Sequence, residues 1–157
     1  SEGASWTWSG ARTRVASELC HAMTLPFPSG DRPRFVIGAA GRDAFVAFGA
    51  EAAPATALEL LEERGVAPRD VTLVCHQASA VLLERWRDRI GPAAHLHTLP
   101  DVGNVTVANI PVTLARRLEE VRTEWLLLLG VGPMQHAVAV LLRGSASRHS
   151  ASAEGAE

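Results

Sequence analysis

Apolar and polar positions along this chain fall into blocks whose period changes from one segment to the next. Residues 71–75, VTLVC, form a run of strand length with little polar interruption, which predicts a strand buried on both faces. From Ala78 to Ile90 apolar residues recur at helical spacing and a Gly-Pro pair follows, so an amphipathic helix is expected there. A longer helical pattern runs from Gly41 to Arg64 with Phe45, Phe48, Ala52, Leu58 and Leu61 on its apolar side. Pro54 predicts a kink or break in it, and Gly65 its end.

The flanking segments are shorter. SWTWSGARTRVAS, residues 5–17, reads as an extended strand or hairpin arm, and LPFPSGDRPR, residues 25–34, as loop. HLHTL, residues 95–99, is a short extended piece, and residues 107–122 predict a helix with Pro111 in its first turns. Two apolar strands, Trp125–Leu129 and Ala137–Leu142, are joined by the turn GVGPMQH. Strands alternating with helices and ending in a strand pair predict an α/β domain in which helices cover a mixed sheet. That domain takes residues 1–143, and residues 144–157, with almost nothing to bury, are expected to form a mobile tail.

Composition narrows the function classes. The 157 residues are 47% hydrophobic and 20% charged with a formal net charge of -2, which fits one globular domain and offers no basic footprint for nucleic acid or a membrane surface. Every basic residue is Arg. Two cysteines, Cys20 and Cys75, suit a reducing compartment better than a disulfide framework, and the cytoplasm is the expected location. The apolar run WLLLLGVG is too short to cross a bilayer. Cys20–His21 and Cys75–His76 lack the paired spacing of a zinc site, so no metal is expected.

The candidate chemistry begins at the end of the 71–75 strand. Side chains alternate across a strand, so Cys75 and His76 point to opposite sides and do not form a dyad. His76 can face the crevice at the carboxyl end of the sheet, where ligands bind in folds of this class. Gly103–Asn104 sits where a loop turns into a helix. The Asn104 amide there either caps the helix or offers N–H donors to an anionic oxygen, and the two roles are compatible. His95 and His97 alternate on an extended segment and are expected to face solvent. Arg85, Arg87 and Arg89, like Arg116 and Arg117, read as solvated helix faces, with the first three as a possible phosphate contact.

CHQAS followed by a helix, then GNVTVANIPVTLA, then LLLLGVGPMQHAVAVLL resembles the carboxy-terminal half of the thiolase-fold condensing enzymes of the ketoacyl-ACP synthase III type. The pattern there is H-Q-A-N, then G-N-T-S-x-A-S-I-P-x-A-L, then a Gly-rich turn between two last strands. Upstream, MTLP and GRDAFVAF resemble the family's T-L-P loop and the start of its G-N-E-V-F-K helix, so the likeness covers residues 6–143.

The resemblance implies half of a thiolase fold with a Cys-His-Asn site. His76 and Asn104 match the last two positions as catalytic residues. The Cys comes from a complementary partner chain, since Cys20 lies on the carboxy-terminal side of the likeness and reads as a packing residue. Substrates would be acyl and malonyl thioesters carried on the phosphopantetheine of acyl carrier protein or coenzyme A, with no permanently bound cofactor. Arg42, Phe45, Ser79, Gly130 and Gly132 fall at positions that line substrate or carrier arm. Ser79 replaces the Asn of H-Q-A-N, Val105 the Thr of G-N-T, and Pro133 a glycine of the final turn. Two alternatives stand beside condensation: acyl transfer to an alcohol or amine, and a non-catalytic half kept for assembly or acyl binding.

Overall fold

The computed structural model describes residues 5–19, 23–24, 36–37, 39–132 and 135–145. Cys20, His21, Pro133, the whole 25–34 segment and residues 146–157 lie outside the described residues.

The chain opens with β1 (Trp6–Val15), followed by the short antiparallel pair β2 (Met23–Thr24) and β3 (Val36–Ile37). Helix α1 (Ala39–Glu63) runs without a break through Pro54. Its buried residues Ala50, Ala53, Ala57, Leu60 and Leu61 recur every three or four positions, and the alanines let its axis approach the sheet closely. Gly65 ends it in the left-handed region, at φ 65°, as expected of a glycine after a helix.

Then come β4 (Val71–Cys75), α2 (Ala80–Ile90), β5 (Ala94–Leu96), the single-turn α3 (Leu99–Val102), α4 (Asn109–Arg117), β6 (Trp125–Gly132) and β7 (His136–Gly144). Helix α2 shows why its boundaries fall where they do. Ser79 Oγ accepts the Leu82 N–H at 3.3 Å, and Gly91 takes φ 69° at the other end. Between them Leu82, Leu83, Trp86 and Ile90 face the core, and Trp86 Nε1 donates to the Gly49 carbonyl of α1 at 2.7 Å.

The main sheet has the order β1-β7-β6-β4-β5. β4 is parallel to both β5 and β6, whereas β6–β7 and β7–β1 are antiparallel, so the sheet is mixed as expected. Strand alternation gives it two faces. Leu73, Cys75, Leu127, Leu129, Ala139 and Leu141 join α1 and α2 in the larger core. Val74, Leu96 and Leu126 pack on the other side with Ile110, Leu114 and Leu118 of the α4 region. On that second face Trp8 (63% exposed) and Val15 (60% exposed) of β1 lie in register with Leu142 and His136 of β7, while Val138 and Val140 are only half-buried.

Three expectations change in detail. The extended strand expected in residues 5–17 is present as β1, ends at Val15 and pairs along the sheet edge with β7. The last two strands take in Gly130, Gly132 and His136, which shortens the joining turn. Gly144, placed in the tail by composition, pairs with Trp6 in β1. Among the described helices α1 alone has the length and apolar composition to cross a membrane, yet it is the core helix, and its Glu59 and Glu63 are paired with Arg12 and Arg14 of β1.

Candidate active site

His76 follows β4 directly, and its backbone N–H donates to the Leu129 carbonyl at 2.8 Å. This bond extends the parallel β4–β6 ladder by one step and seats the residue beside Gly130, at the carboxyl ends of both strands. The alternation that sends Cys75 into the larger core sends His76 to the α4 side. Its ring is half-buried. Desolvation lowers its pKa below the usual 6.5, and a hydrogen bond to the Thr106 backbone works in the opposite sense.

Asn104 reaches the same place from the loop after α3. One side chain joins the two: Asn109 Nδ2 lies 3.1 Å from His76 Nδ1 and 2.9 Å from Asn104 Oδ1. Asn109 is itself held from behind. Its Oδ1 accepts the Val105 N–H at 2.8 Å and Gln77 Nε2 at 3.2 Å. Gln77 Oε1 accepts the Thr98 N–H at 2.8 Å, its Nε2 also reaches Thr98 Oγ1 at 3.2 Å, and that hydroxyl meets Thr113 Oγ1 at 3.1 Å. Gln77, Thr98, Asn109 and Thr113 are all buried. A fully connected buried polar network of this kind rigidifies the groups at its end.

The loop carrying Asn104 is bent to fit. Gly103 has φ 67°, and Thr106, a β-branched residue, has φ 54°, a conformation that costs on the order of 1–2 kcal/mol. The Thr106 N–H donates to Asn104 Oδ1 at 2.9 Å and helps hold that backbone. The oxygen of Asn104 is therefore taken up by Thr106 and Asn109 rather than by a helix cap, and its Nδ2 has no hydrogen-bond partner among the described residues.

A sequence model of the 3-oxoacyl-(acyl-carrier-protein) synthase III C-terminal family matches residues 61–143, just over half of the chain. The chain belongs to that family.

Synthase III structures share its fold. The synthase III (FabH) of Pseudomonas aeruginosa PAO1 superposes with a TM-score of 0.74 at 22% identity, covering 87% of this chain and 44% of that one. The enzyme of Aquifex aeolicus VF5 gives 0.72 at 23%, with 91% and 46% covered. Xanthomonas campestris OleA gives 0.72 at 20%, with 88% and 40% covered. The chain thus spans less than half of each of these structures. No curated protein sequence matches it. The fold is α/β and thiolase-like.

Within this synthase III half, the remaining candidate positions separate. Ser79, where the family pattern has Asn, is exposed and serves as the N-cap of α2. Val105, where the pattern has Thr, gives the network only its backbone N–H. The polar contacts come instead from Gln77 and Asn109, neither of which was singled out from the sequence. The signal for both was available: a glutamine at a buried strand-to-helix joint, and an asparagine in a helix turn otherwise set for apolar packing.

Gly130 and Gly132 lie on β6 at the His76 end of the sheet. A Cβ on Gly132 would meet the His136 ring at 2.3 Å, so glycine there makes room for that imidazole. Arg42 is exposed in the first turn of α1, and Phe45, one turn on, is half-buried against the larger core. Neither has a hydrogen bond or ion pair to the network above.

Cys75 is wholly buried, and desolvation pushes its thiol far above the ordinary range. Its Sγ lies 3.0 Å from His95 Nε2. The expectation that His95 and His97 face solvent is corrected: both are half-buried with ring centroids 5.3 Å apart. They follow the face of Leu73 and Cys75, because β5 pairs His95 with Leu73. Burial first, then the positive fields of His97, Arg87 and Arg117, take His95 down to about 4. Arg89 pairs with Glu51 of α1 at 2.5 Å, and Arg117 binds Glu120 and the His97 carbonyl. Among the described residues no three His, Cys, Asp or Glu side chains assemble as a metal site.

Proposed function

We propose that this chain is the oxygen-polarising half of an acyl-condensing enzyme, with His76 and Asn104 as the donors that receive the thioester oxygen of a malonyl unit. The observation that carries the reading is the single amide nitrogen, Asn109 Nδ2, that contacts both residues at 3.1 and 2.9 Å. Asn109 occupies Nδ1 of His76 and the oxygen of Asn104, which leaves Nε2 of His76 and the Asn104 amide nitrogen to meet a substrate, with the Thr106 backbone as the competing partner of the imidazole. Decarboxylation leaves the electron pair of the broken C–C bond on the α-carbon and, by delocalisation, on the thioester oxygen. Negative charge grows there only toward the transition state, where fixed neutral donors act most strongly. The enolate carbon then attacks the acyl thioester held on a Cys, a C–C bond forms and the thiolate departs.

That Cys is assigned to a complementary half of the fold carried by a partner chain, because Cys75, the one described cysteine, is buried and has a raised pKa. The half-covered face at Trp8, Val15, Val138 and Val140, with Val107 93% exposed before α4, suits burial against such a half. Acyl carrier protein or coenzyme A thioesters are the proposed substrates, with Arg42, Phe45, Gly130 and Gly132 on their path, and the cytoplasm is the setting. Co-expression with the complementary half followed by a malonyl-thioester decarboxylation assay tests the reading. His76→Ala and Asn104→Ala should each lower turnover about 10²–10³-fold. Unchanged turnover in both would refute it and leave a non-catalytic half.

A further inference from the structure

We infer that Asn109 is a positioning residue that holds the neutral His76 ring with its proton on Nε2, making the site a donor to a thioester oxygen rather than a base toward an alcohol or amine. The chemistry, though not the geometry, rests on the function proposed above. Three backbone N–H groups settle which end of each amide is which. Thr98 N–H donates to Gln77 Oε1, Val105 N–H to Asn109 Oδ1 and Thr106 N–H to Asn104 Oδ1, at 2.8, 2.8 and 2.9 Å. Each of those side-chain atoms must be oxygen, so Asn109 presents its NH2 group to His76. A donor facing Nδ1 at 3.1 Å requires a lone pair there, and the proton of the neutral ring is left on Nε2.

The same contact opposes base catalysis. A base taking a proton at Nε2 becomes an imidazolium whose Nδ1–H would point at the Asn109 NH2, donor against donor. Hydrolytic triads place a carboxylate behind Nδ1, and exchanging it for an amide costs about 10⁴-fold in turnover through the wrong tautomer. Here the amide is the resident group, and the chemistry it favours is oxygen polarisation. No charged side chain among the described residues contributes to the shift of His76. Its polar neighbours are Asn109 of α4, the Thr106 backbone and the Leu129 carbonyl of β6. The family pattern carries Ser at position 109, so the device is a feature of this chain rather than of the pattern.

Nitrogen-15 NMR of the full chain with labelled histidine reads the tautomer directly, with His76→Asn to assign the signal. The wild-type ring should carry its proton on Nε2 at neutral pH. In Asn109→Asp the carboxylate should draw the proton to Nδ1 and raise the titration midpoint by about one unit or more. Asn109→Leu, which tests the role should the aspartate variant fail to fold, should abolish the preference for one tautomer. In the complete enzyme Asn109→Asp should lower decarboxylation about 10²-fold or more with the KM for the acyl donor unchanged. A wild-type ring protonated on Nδ1, or a tautomer unaltered in both variants, would overturn the inference. A complete enzyme inert toward malonyl thioesters with the Nε2–H ring intact would instead refute the functional reading and leave the assignment of Asn109 standing.

Discussion

Replacing Gln77 with leucine isolates the part of the network that sits behind the site. Gln77 has no solvent exposure and makes three hydrogen bonds: its Oε1 accepts the Thr98 N–H at 2.8 Å, and its Nε2 donates to Thr98 Oγ1 and Asn109 Oδ1, both at 3.2 Å. Gln77→Leu fills nearly the same volume and removes all three. The largest loss is the Thr98 N–H, which stays buried with no acceptor at a cost of about 1–3 kcal/mol. Asn109 Oδ1 keeps the Val105 N–H and Thr98 Oγ1 keeps Thr113, so the other two losses are at the low end, about 0.5 kcal/mol each. The sum is about 2–4 kcal/mol. Urea unfolding of wild type and variant should show a lower midpoint at an unchanged slope, and hydrogen exchange at the Thr98 amide should accelerate. A stability difference below about 0.5 kcal/mol would refute the view that this network bears on the fold, since it would mean Thr98 finds another partner.

Acidification should destabilise the chain. His95 titrates at about 4 when folded against 6.5 otherwise, so the unfolded chain binds the proton first. Stability is then full above 6.5 and falls as the pH drops toward 4, by at most about 3 kcal/mol from this residue. His76 and His97 add to the loss with the same sign, and His95→Gln should flatten it in pH-dependent urea titrations; an unchanged slope would contradict the assignment. Trp86→Phe removes the Nε1–H bond to Gly49 and part of a fully buried indole, so thermal unfolding should register a loss of about 1–3 kcal/mol. Gly91→Ala, at φ 69° in open space, should cost about 1–2 kcal/mol from backbone strain alone, measured the same way.

The strand-helix order was legible because periodicity reflects local rules, whereas the pairing of His76 with Asn104 came from the family resemblance and from no local pattern. β4 was found to the residue, since a run buried on both faces leaves no ambiguity of pattern. The pairing of β1 with β7 was not legible: the two lie at opposite ends of the described chain, and nothing local couples them. The helical pattern at residues 107–122 overreaches: α4 spans Asn109–Arg117 and gives way to a 3-10 turn at Leu118–Glu120. The same overreach hid Asn109 and Gln77. Polar residues at buried positions look like surface until the partners that satisfy them are known, and those partners lie 21 and 32 residues away from Gln77. His95 and His97 misled for the converse reason, since alternation marks one side of a strand but does not say which side is wet.

The sheet closes by bringing residues 6–15 against residues 136–144. A ribosome makes β1 early and β7 late, so the earlier strand must wait through the synthesis of every intervening element before its hydrogen bonds exist. Until then Trp8 and Val15 travel on an unpaired ribbon and the far edge of β6 stands open. Chains cut short ahead of Ala137 should accordingly clump or be degraded, even though the parallel β6–β4–β5 centre and the helices packed on it are already present.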